Sequence, residues 1–387
     1  MKKRFNFALK FSKLELLLAG IFAIFLAISV AIGVKGLFQG HEHLYGTTRE
    51  MPIALLLGAY IFFVVTSTGL CIISAIGHVF HFDAFAPIAK RAVFLSIATI
   101  MGGFVCLMFE LDSPWKMHYF ILTPNFKSGI WWMACLYSFY LAFMISEFIA
   151  LIFNNHKLGS LLGFLGLSFG LAAHSNMGAV FGTLQGRPFW TGAFMPIYFI
   201  VSAFFSGTAA IIFFTYLSKH VKQRPFDERL NMSFHKLGWL FLFAIFIMMF
   251  FDTWSHIIGT LAYAGGKTLA IDSFEGPLKV NYWFFEITCG LLIPFIFILL
   301  TRAKSQLVLF ICSAISICGI FYMRYDLMLA GQIVPLWHEI GASCAKYYVK
   351  YAPTVPEMLV FCGGLAFVGL AYIFGEKILD LDEDQSH

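Results

Sequence analysis

Within long apolar runs, this 387-residue chain carries a few groups that can hold or pass a proton: Tyr60, Asp112, His174, Asp252, His256, Tyr322 and Arg324. A polar group inside a membrane span is costly, which makes each a candidate functional residue. The apolar runs place Tyr60 about eight residues in from the outer end of a second span and Asp112 at the outer end of a third. His174, in the small-residue stretch AAHSNMG, falls in the outer third of a fifth span. Asp252 and His256 stand one helical turn apart on one face of a seventh span, and Tyr322 and Arg324 read as the outer end of a ninth. Five helices thus contribute polar groups at one depth, where unrelated structural groups would scatter. Glu147 and Glu286 lie elsewhere and read as structural hydrogen-bond partners.

Each residue also has a plainer reading. Tyr60 suits an interfacial aromatic belt, Asp112 and Arg324 suit helix ends, and Asp252 and His256 can satisfy each other. Taken together, carboxylates, imidazoles and phenols at one depth suit proton exchange, because their pKa values move with burial and neighbouring charge. A quinone headgroup needs a hydrogen bond at each carbonyl and a proton acceptor when its quinol is oxidised. Aromatic and Met-rich walls suit its ring and tail. Two other classes stay open. A haem b needs two axial ligands, usually His, and His174 with His256 is the one pair at a common depth, His78 lying near the inner end. An ion-translocating subunit would run its path through Asp252, His256 and Arg324, with inverted repeats and broken helices that the sequence does not display.

The elements that must position these residues are membrane helices. Only 12% of the residues are charged, against about 25% in soluble domains, while 60% are hydrophobic and the mean hydropathy is +0.82. That composition excludes a soluble enzyme, a nucleic-acid binder and a disordered scaffold. Continuous apolar runs long enough to cross a bilayer predict about ten transmembrane helices in an all-α polytopic membrane protein. They cover about 14–37, 52–80, 88–110, 128–154, 158–182, 190–218, 237–264, 280–302, 304–324 and 356–375, the eighth and ninth separated by a tight turn near Arg302 and Lys304. The basic N-terminus precedes an uncharged run from Leu16 to Val34 that reads as a retained anchor rather than a cleaved signal. Lys and Arg gather on the segments that are inner if the N-terminus is inside, so both termini are expected in the cytoplasm. This asymmetry accounts for the net charge of +5. The eight Cys form no CxxC and read as small apolar residues, so no metal site of the chain's own is expected.

Certain runs resemble a known family. They are TREMPIALLLGAYIFFVVTSTG, the stretch from ELDSPW through YFILTPNFKSGIWW, HSNMG followed by QGRPFW, and YMRY. An acidic residue closing a helix, an aromatic loop, a Pro-Asn turn and a Trp-rich helix start make the second the most specific. Arg187 and Trp190 belong to the nearly as specific RPFW run. The chain resembles the NrfD/PsrC family of quinone-interacting membrane subunits, closest to its ten-helix branch of HybB- and DsrP-type subunits. The resemblance implies two four-helix bundles plus extra helices: a front bundle at about 38–218 with the quinone site and a rear bundle at about 237–375, in a single membrane domain over 1–387.

It further implies exchangeable menaquinone or ubiquinone, with no haem or iron–sulfur cluster in this chain. The expected partner is a ferredoxin-like four-cluster iron–sulfur subunit on the outer face, joined to a further catalytic subunit or a multihaem cytochrome. The chain is then a quinone-reactive part of a respiratory oxidoreductase complex in a prokaryotic inner membrane. By position, His174 matches a quinone-contacting Tyr of the polysulfide-reductase member, Tyr60 lies near a quinone-side His, and Asp112 matches the acidic residue closing the family's helix. The resulting expectation puts quinone at His174, Tyr60, Asp112, Arg187 and Trp190, and a proton path at Asp252, His256, Tyr322 and Arg324. Loops 111–127 and 325–355, with Trp115, Tyr119, Phe120, Trp337, Tyr347 and Tyr348, are expected to receive the partner.

Overall fold

A computed structural model describes residues 11–187, 189–222, 226–261, 271–335, 348–379 and 381, with backbone only at 258–261. Among the described residues, ten helices are long and apolar enough to cross a membrane: α1 (Lys13–Gln39), α2 (Leu55–His78), α3 (Ala86–Glu110), α4 (Gly129–Ile152), α5 (His156–Gly182), α6 (Phe194–Val221), α7 (Glu228–Leu261), α8 (Val280–Leu300), α9 (Gln306–Ala330) and α10 (Val355–Ile378). No strand element occurs among the described residues. The chain is an all-α polytopic membrane protein, as the apolar runs require.

Side-chain caps start several helices where the sequence changes character. Ser12 and Thr354 form reciprocal capping boxes with Glu15 and Glu357, while Ser128, Asn155 and Ser305 accept from the backbone three residues on. Such caps satisfy N–H groups that a helix start leaves open. The α8–α9 turn is closed by Arg302 and Ala303, both with positive φ (50° and 54°).

Helices α2, α3, α4 and α5 pack around one another, as do α6, α7, α8 and α9; α6 and α9 also pack on α2. Helix α1 lies mainly on α10, which packs on α3. Close backbone approach makes two of these contacts. A Cβ on Gly69 of α2 would stand 1.9 Å from the Ala203 carbonyl oxygen of α6, and one on Gly319 of α9 would stand 2.3 Å from Cα of Gly290 in α8. Small residues let membrane helices approach this closely. The first 13 residues of α8, Val280–Leu292, are π-helical, a widened geometry often found at functional sites.

Cross-links define two ends of the bundle. At the terminal face, where α1 begins and α10 ends, Lys377 pairs with Glu15 at 2.8 Å and Arg91 with Glu376 at 2.7 Å, and Lys222 joins Glu376. At the opposite, loop face, His41 pairs with Asp112 at 2.9 Å and the Gly46 N–H donates to Glu357 at 3.0 Å.

Two boundaries differ from expectation. The ninth helix runs on through Ala330, so Tyr322 and Arg324 do not end it and Arg324 is wholly buried. The run looked finished there because Arg324 and Asp326 are charged; inside the bundle, Asn281 donates to Asp326 at 3.0 Å and helps the helix carry it. Helix α6 runs on to Val221 with Lys219 buried in it, and α7 begins at Glu228, so both reach beyond the expected spans 190–218 and 237–264.

Candidate functional site

His174 occupies the centre of α2, α4, α5 and α6, and its side chain is fully buried. Its Nδ1 lies 3.0 Å from Thr68 Oγ1 of α2 and 3.0 Å from the Tyr137 hydroxyl of α4. Its Nε2 is buried with no hydrogen-bond partner among the described residues. The imidazole is therefore held by one nitrogen and open at the other. A hydroxyl can donate or accept, so this seat permits either tautomer: Nε2 can offer a proton to a carbonyl or take one from a hydroxyl. An unpaired buried group costs roughly 1–3 kcal/mol, a cost a ligand or ordered water would remove. Behind the ring, Ser67 links to the Tyr140 hydroxyl at 2.9 Å and donates to the Ser96 carbonyl at 2.7 Å.

Arg324 of α9 is the charge acting on His174. It is fully buried, with its Cζ 5.3 Å from the Tyr198 ring and 5.5 Å from the Phe199 ring. Phe199 also meets the His174 ring, at 6.3 Å between centroids. None of the three guanidinium nitrogens makes a well-formed hydrogen bond among the described residues. A cation out of water is stabilised by aromatic faces, and N–H donors with no well-formed acceptor among the described residues, the Tyr198 hydroxyl being the one they approach, leave an anion- or carbonyl-seeking group in the interior.

On the other side of Tyr198 is a cavity of about 60 Å³, room for a few waters, lined by Asp252, His256, Tyr282, Glu286 and Asp326 together with apolar side chains. Tyr282 donates to Asp252 at 2.8 Å and stacks on His256 at 6.0 Å. Asp326 Oδ2 is buried and unpartnered among the described residues. Glu286 lies near Asp252, Asp326 and Arg324, and it is the carboxyl that Arg324 meets. The π-helical start of α8 supplies Asn281, Tyr282 and Glu286 to this region.

The sequence-selected residues are therefore unevenly placed. His174 and Arg324 share the Phe199 ring, and Asp252 and His256 share the cavity. Tyr60 is buried in α2 and stacks on Phe104 at 6.4 Å, near Tyr137. Tyr322 turns away from the cavity, its ring stacked on Phe285 at 4.1 Å. Asp112 is 86% exposed and pairs with His41 at the loop face. Arg187 donates to the carbonyls of Gln332 (3.3 Å), Val334 (3.4 Å) and Glu50 (3.3 Å). Trp190 Nε1 donates to the Leu327 carbonyl at 2.8 Å. Arg187 and Trp190 thus fasten the α5–α6 connection to α9 and to the start of α2.

Sequence reasoning missed Thr68, Tyr137 and Tyr140, which look like ordinary members of apolar spans, and it read Glu286 as purely structural. The signal for the first three was the combination of the polar TSTG step in α2 with the Tyr pair one turn apart in α4. At the loop face, burial and the Glu110 and Glu357 carboxylates push the Tyr45 phenol well above its usual range. Of the aromatic residues expected to meet a partner, Trp115 and Tyr119 are exposed and Phe120 is half-buried. Trp131 and Trp132 hold that loop through Nε1 bonds to the carbonyls of Phe120 (2.7 Å) and Phe126 (2.9 Å). Trp337 and Tyr347 lie outside the described residues.

Comparison with known proteins agrees with this architecture. The family profile described as "Polysulphide reductase, NrfD" matches residues 44–335. The chain is 23% identical to the Hdr-like menaquinol oxidoreductase integral membrane subunit of Archaeoglobus fulgidus, over 97% of both chains. It is 20% identical to a selenate reductase subunit of Mesobacillus selenatarsenatis, over 81% of this chain and 82% of that one. It is 22% identical to the menaquinone reductase integral membrane subunit of Nitratidesulfovibrio vulgaris, over 87% and 86%.

Proposed function

We propose that this chain, which belongs to the NrfD polysulphide reductase family, holds a menaquinone or menaquinol at His174 and passes its electrons to or from an iron–sulfur partner subunit. The chain is a multi-pass membrane subunit of a quinone oxidoreductase complex. The observation that carries the finer reading is the half-paired imidazole: His174 is fixed through Nδ1 by Thr68 and Tyr137, and its buried Nε2 has no hydrogen-bond partner among the described residues. Relatives named for menaquinol and menaquinone oxidoreduction favour menaquinone over ubiquinone.

The residues present fit a quinone headgroup. His174 Nε2 would meet one ring oxygen, and Arg324, beside the same Phe199 ring and without a well-formed hydrogen bond among the described residues, would supply donors toward negative charge developing there. A bound quinone would supply two-electron, two-proton chemistry. The chain's part is to orient the ring, keep bulk water away and hold a proton at Nε2. Tyr60 would wall the site, while Arg187 and Trp190 would hold the loop that closes it. Asp112 would act at the mouth.

We assign the quinone site to a front portion, about 38–218, and proton exchange toward the loop face to Asp252, His256 and Arg324 of a rear portion, about 237–375. Tyr322 belongs to that path only if its ring leaves Phe285. The partner, a ferredoxin-like subunit leading to a further catalytic subunit or multihaem cytochrome, would dock on the loop face over the exposed Trp115–Trp132 segment. The complex would sit in a prokaryotic inner membrane with both termini in the cytoplasm.

The test is quinone extraction and an absorption spectrum of the purified complex. Bound menaquinone that is lost in His174→Ala supports this reading. A Soret band with reducible α-bands would replace it with a haem protein.

A further inference from the structure

Helix α2 carries a second polar feature that the quinone reading does not use. Ser67, Cys71, Ser74 and His78 follow one another at spacings of four, three and four, which places them on one face of the helix. The first three are at most 1% exposed. Ser74 Oγ and His78 Nε2 are buried without hydrogen-bond partners among the described residues. At the upper end of this face, the Tyr140 hydroxyl reaches Ser67, Thr68 and Ser96, and Thr68 reaches His174. Cys71 comes next, one turn along, near both Tyr140 and Glu147 of α4.

Glu147 is 2% exposed. Its carboxyl fits only because residue 163 of α5 is glycine: a Cβ there would stand 2.7 Å from Glu147 Oε1 and 3.1 Å from Val79 Cγ2. The acid therefore lies where α4 and α5 meet the end of α2. His78 follows, with His156, His81 and Lys90 around it at the terminal face. His81 and His156 are exposed. From Thr68 to His78 the helix rises about 15 Å. Buried polar atoms are nearly always paired with protein or ordered water. A row of unpaired ones beside a carboxyl is the arrangement that waters would complete.

The geometry points to a proton path through α2, α4 and α5 that joins His174 to the terminal face by way of Tyr140, Cys71, Ser74, Glu147 and His78. This inference rests on the quinone reading above and adds to it a second outlet, opposite the loop face. Oxidation of a quinol yields two electrons and two protons, and the electrons leave to the iron–sulfur partner. A proton taken at His174 Nε2 releases the one on Nδ1 to Thr68 or Tyr137. Each hydroxyl or water in turn passes its own proton on and receives the next, and Glu147 alternates between acid and carboxylate. One proton reaches the terminal face; His174 is left protonated at Nε2 and bare at Nδ1, and it resets for the next turnover when Thr68 or Tyr137 returns a proton to Nδ1 as the Nε2 proton is given up toward the loop face.

Two measurements test the path. In the first, the whole complex in sealed vesicles is given a menaquinol analogue, with pH indicators in both compartments. Glu147→Gln should slow proton appearance at the terminal face at least tenfold and leave menaquinone affinity unchanged, and Glu147→Asp should restore most of the rate. Wild-type proton appearance in Glu147→Gln would overturn the path. The second needs no turnover and no variant. Cys71 and Cys106 are equally buried, but only Cys71 lies on the stripe. Silver ion added from the terminal face should protect Cys71 from later alkylation in denaturant and leave Cys106 reactive. Equal behaviour of the two thiols would overturn the path even if Glu147→Gln fails to assemble. If His174→Ala binds menaquinone normally, the quinone reading falls. If it loses binding while Glu147→Gln changes nothing, the path alone falls.

Discussion

Replacing His174 by Ala should weaken menaquinone binding while the complex still assembles. The substitution does two separable things. It removes the Nε2 atom proposed to meet a ring oxygen, and it leaves the Thr68 and Tyr137 hydroxyls without the Nδ1 they share at 3.0 Å. Loss of one buried hydrogen bond to a ligand is worth about 1–3 kcal/mol, which raises Kd roughly 5- to 150-fold. The orphaned hydroxyls lower stability by a similar amount, about 1–3 kcal/mol, and this has to be subtracted. Tyr137→Phe does so: it removes one Nδ1 partner and keeps the imidazole. It should cost stability with a change in Kd of tenfold or less, since 1.36 kcal/mol corresponds to a factor of ten. The assay is a menaquinone-analogue titration of purified wild-type and variant complexes in nanodiscs, with thermal unfolding of the same samples. A Kd for His174→Ala within twofold of wild type would refute the placement of the headgroup. So would a Tyr137→Phe effect on Kd as large as that of His174→Ala, because the loss would then follow the pocket's integrity rather than Nε2.

Other substitutions probe the frame and the rear cavity. Gly69→Ala pushes a methyl to 1.9 Å from the Ala203 carbonyl, so α2 and α6 must separate. Overpacking of this kind costs about 1–3 kcal/mol, and lower thermal stability with less extractable folded protein is expected. Glu376→Gln leaves Arg91, wholly buried, without its carboxylate at 2.7 Å. Removing one partner of a buried ion pair costs about 3–5 kcal/mol, and a marked fall in unfolding temperature should appear without any change in menaquinone affinity. Asp252→Asn keeps an acceptor for Tyr282 (now 2.8 Å away) and removes the charge. A proton path there predicts normal assembly and binding with slowed turnover, whereas a purely structural link predicts near-normal turnover with lower stability. Loss of menaquinone binding in Asp252→Asn but not in His174→Ala would move the headgroup to the rear cavity.

The sequence alone determined the spans, because an uninterrupted apolar run of bilayer length is a local property of the chain. It also picked out His174 and Asp252 as polar groups within spans, since position along a helix follows from counting residues, though it set Arg324 at a helix end. The tight α8–α9 turn was legible for the same reason. What it could not determine is azimuth. Lipid tails are as apolar as a helix interior, so a membrane helix lacks the polar stripe that tells a soluble helix which face is inward.

Only the packing of α9 against α6 on one side and α8 on the other turns Arg324 toward Tyr198 and Phe199 and, two residues away, Tyr322 toward Phe285. Only the meeting of α2, α4 and α5 gives His174 its Thr68 and Tyr137 partners from residues otherwise indistinguishable from span filler. The end of α9 was misread because charge at Arg324 and Asp326 looks like a helix end until Asn281 of a neighbouring helix is there to meet it. Arg187 and Trp190 looked like ligand contacts, yet their donors close on backbone carbonyls of other segments. A donor's partner far away in sequence exists only once the chain has folded, and tertiary structure alone decided where those donors point.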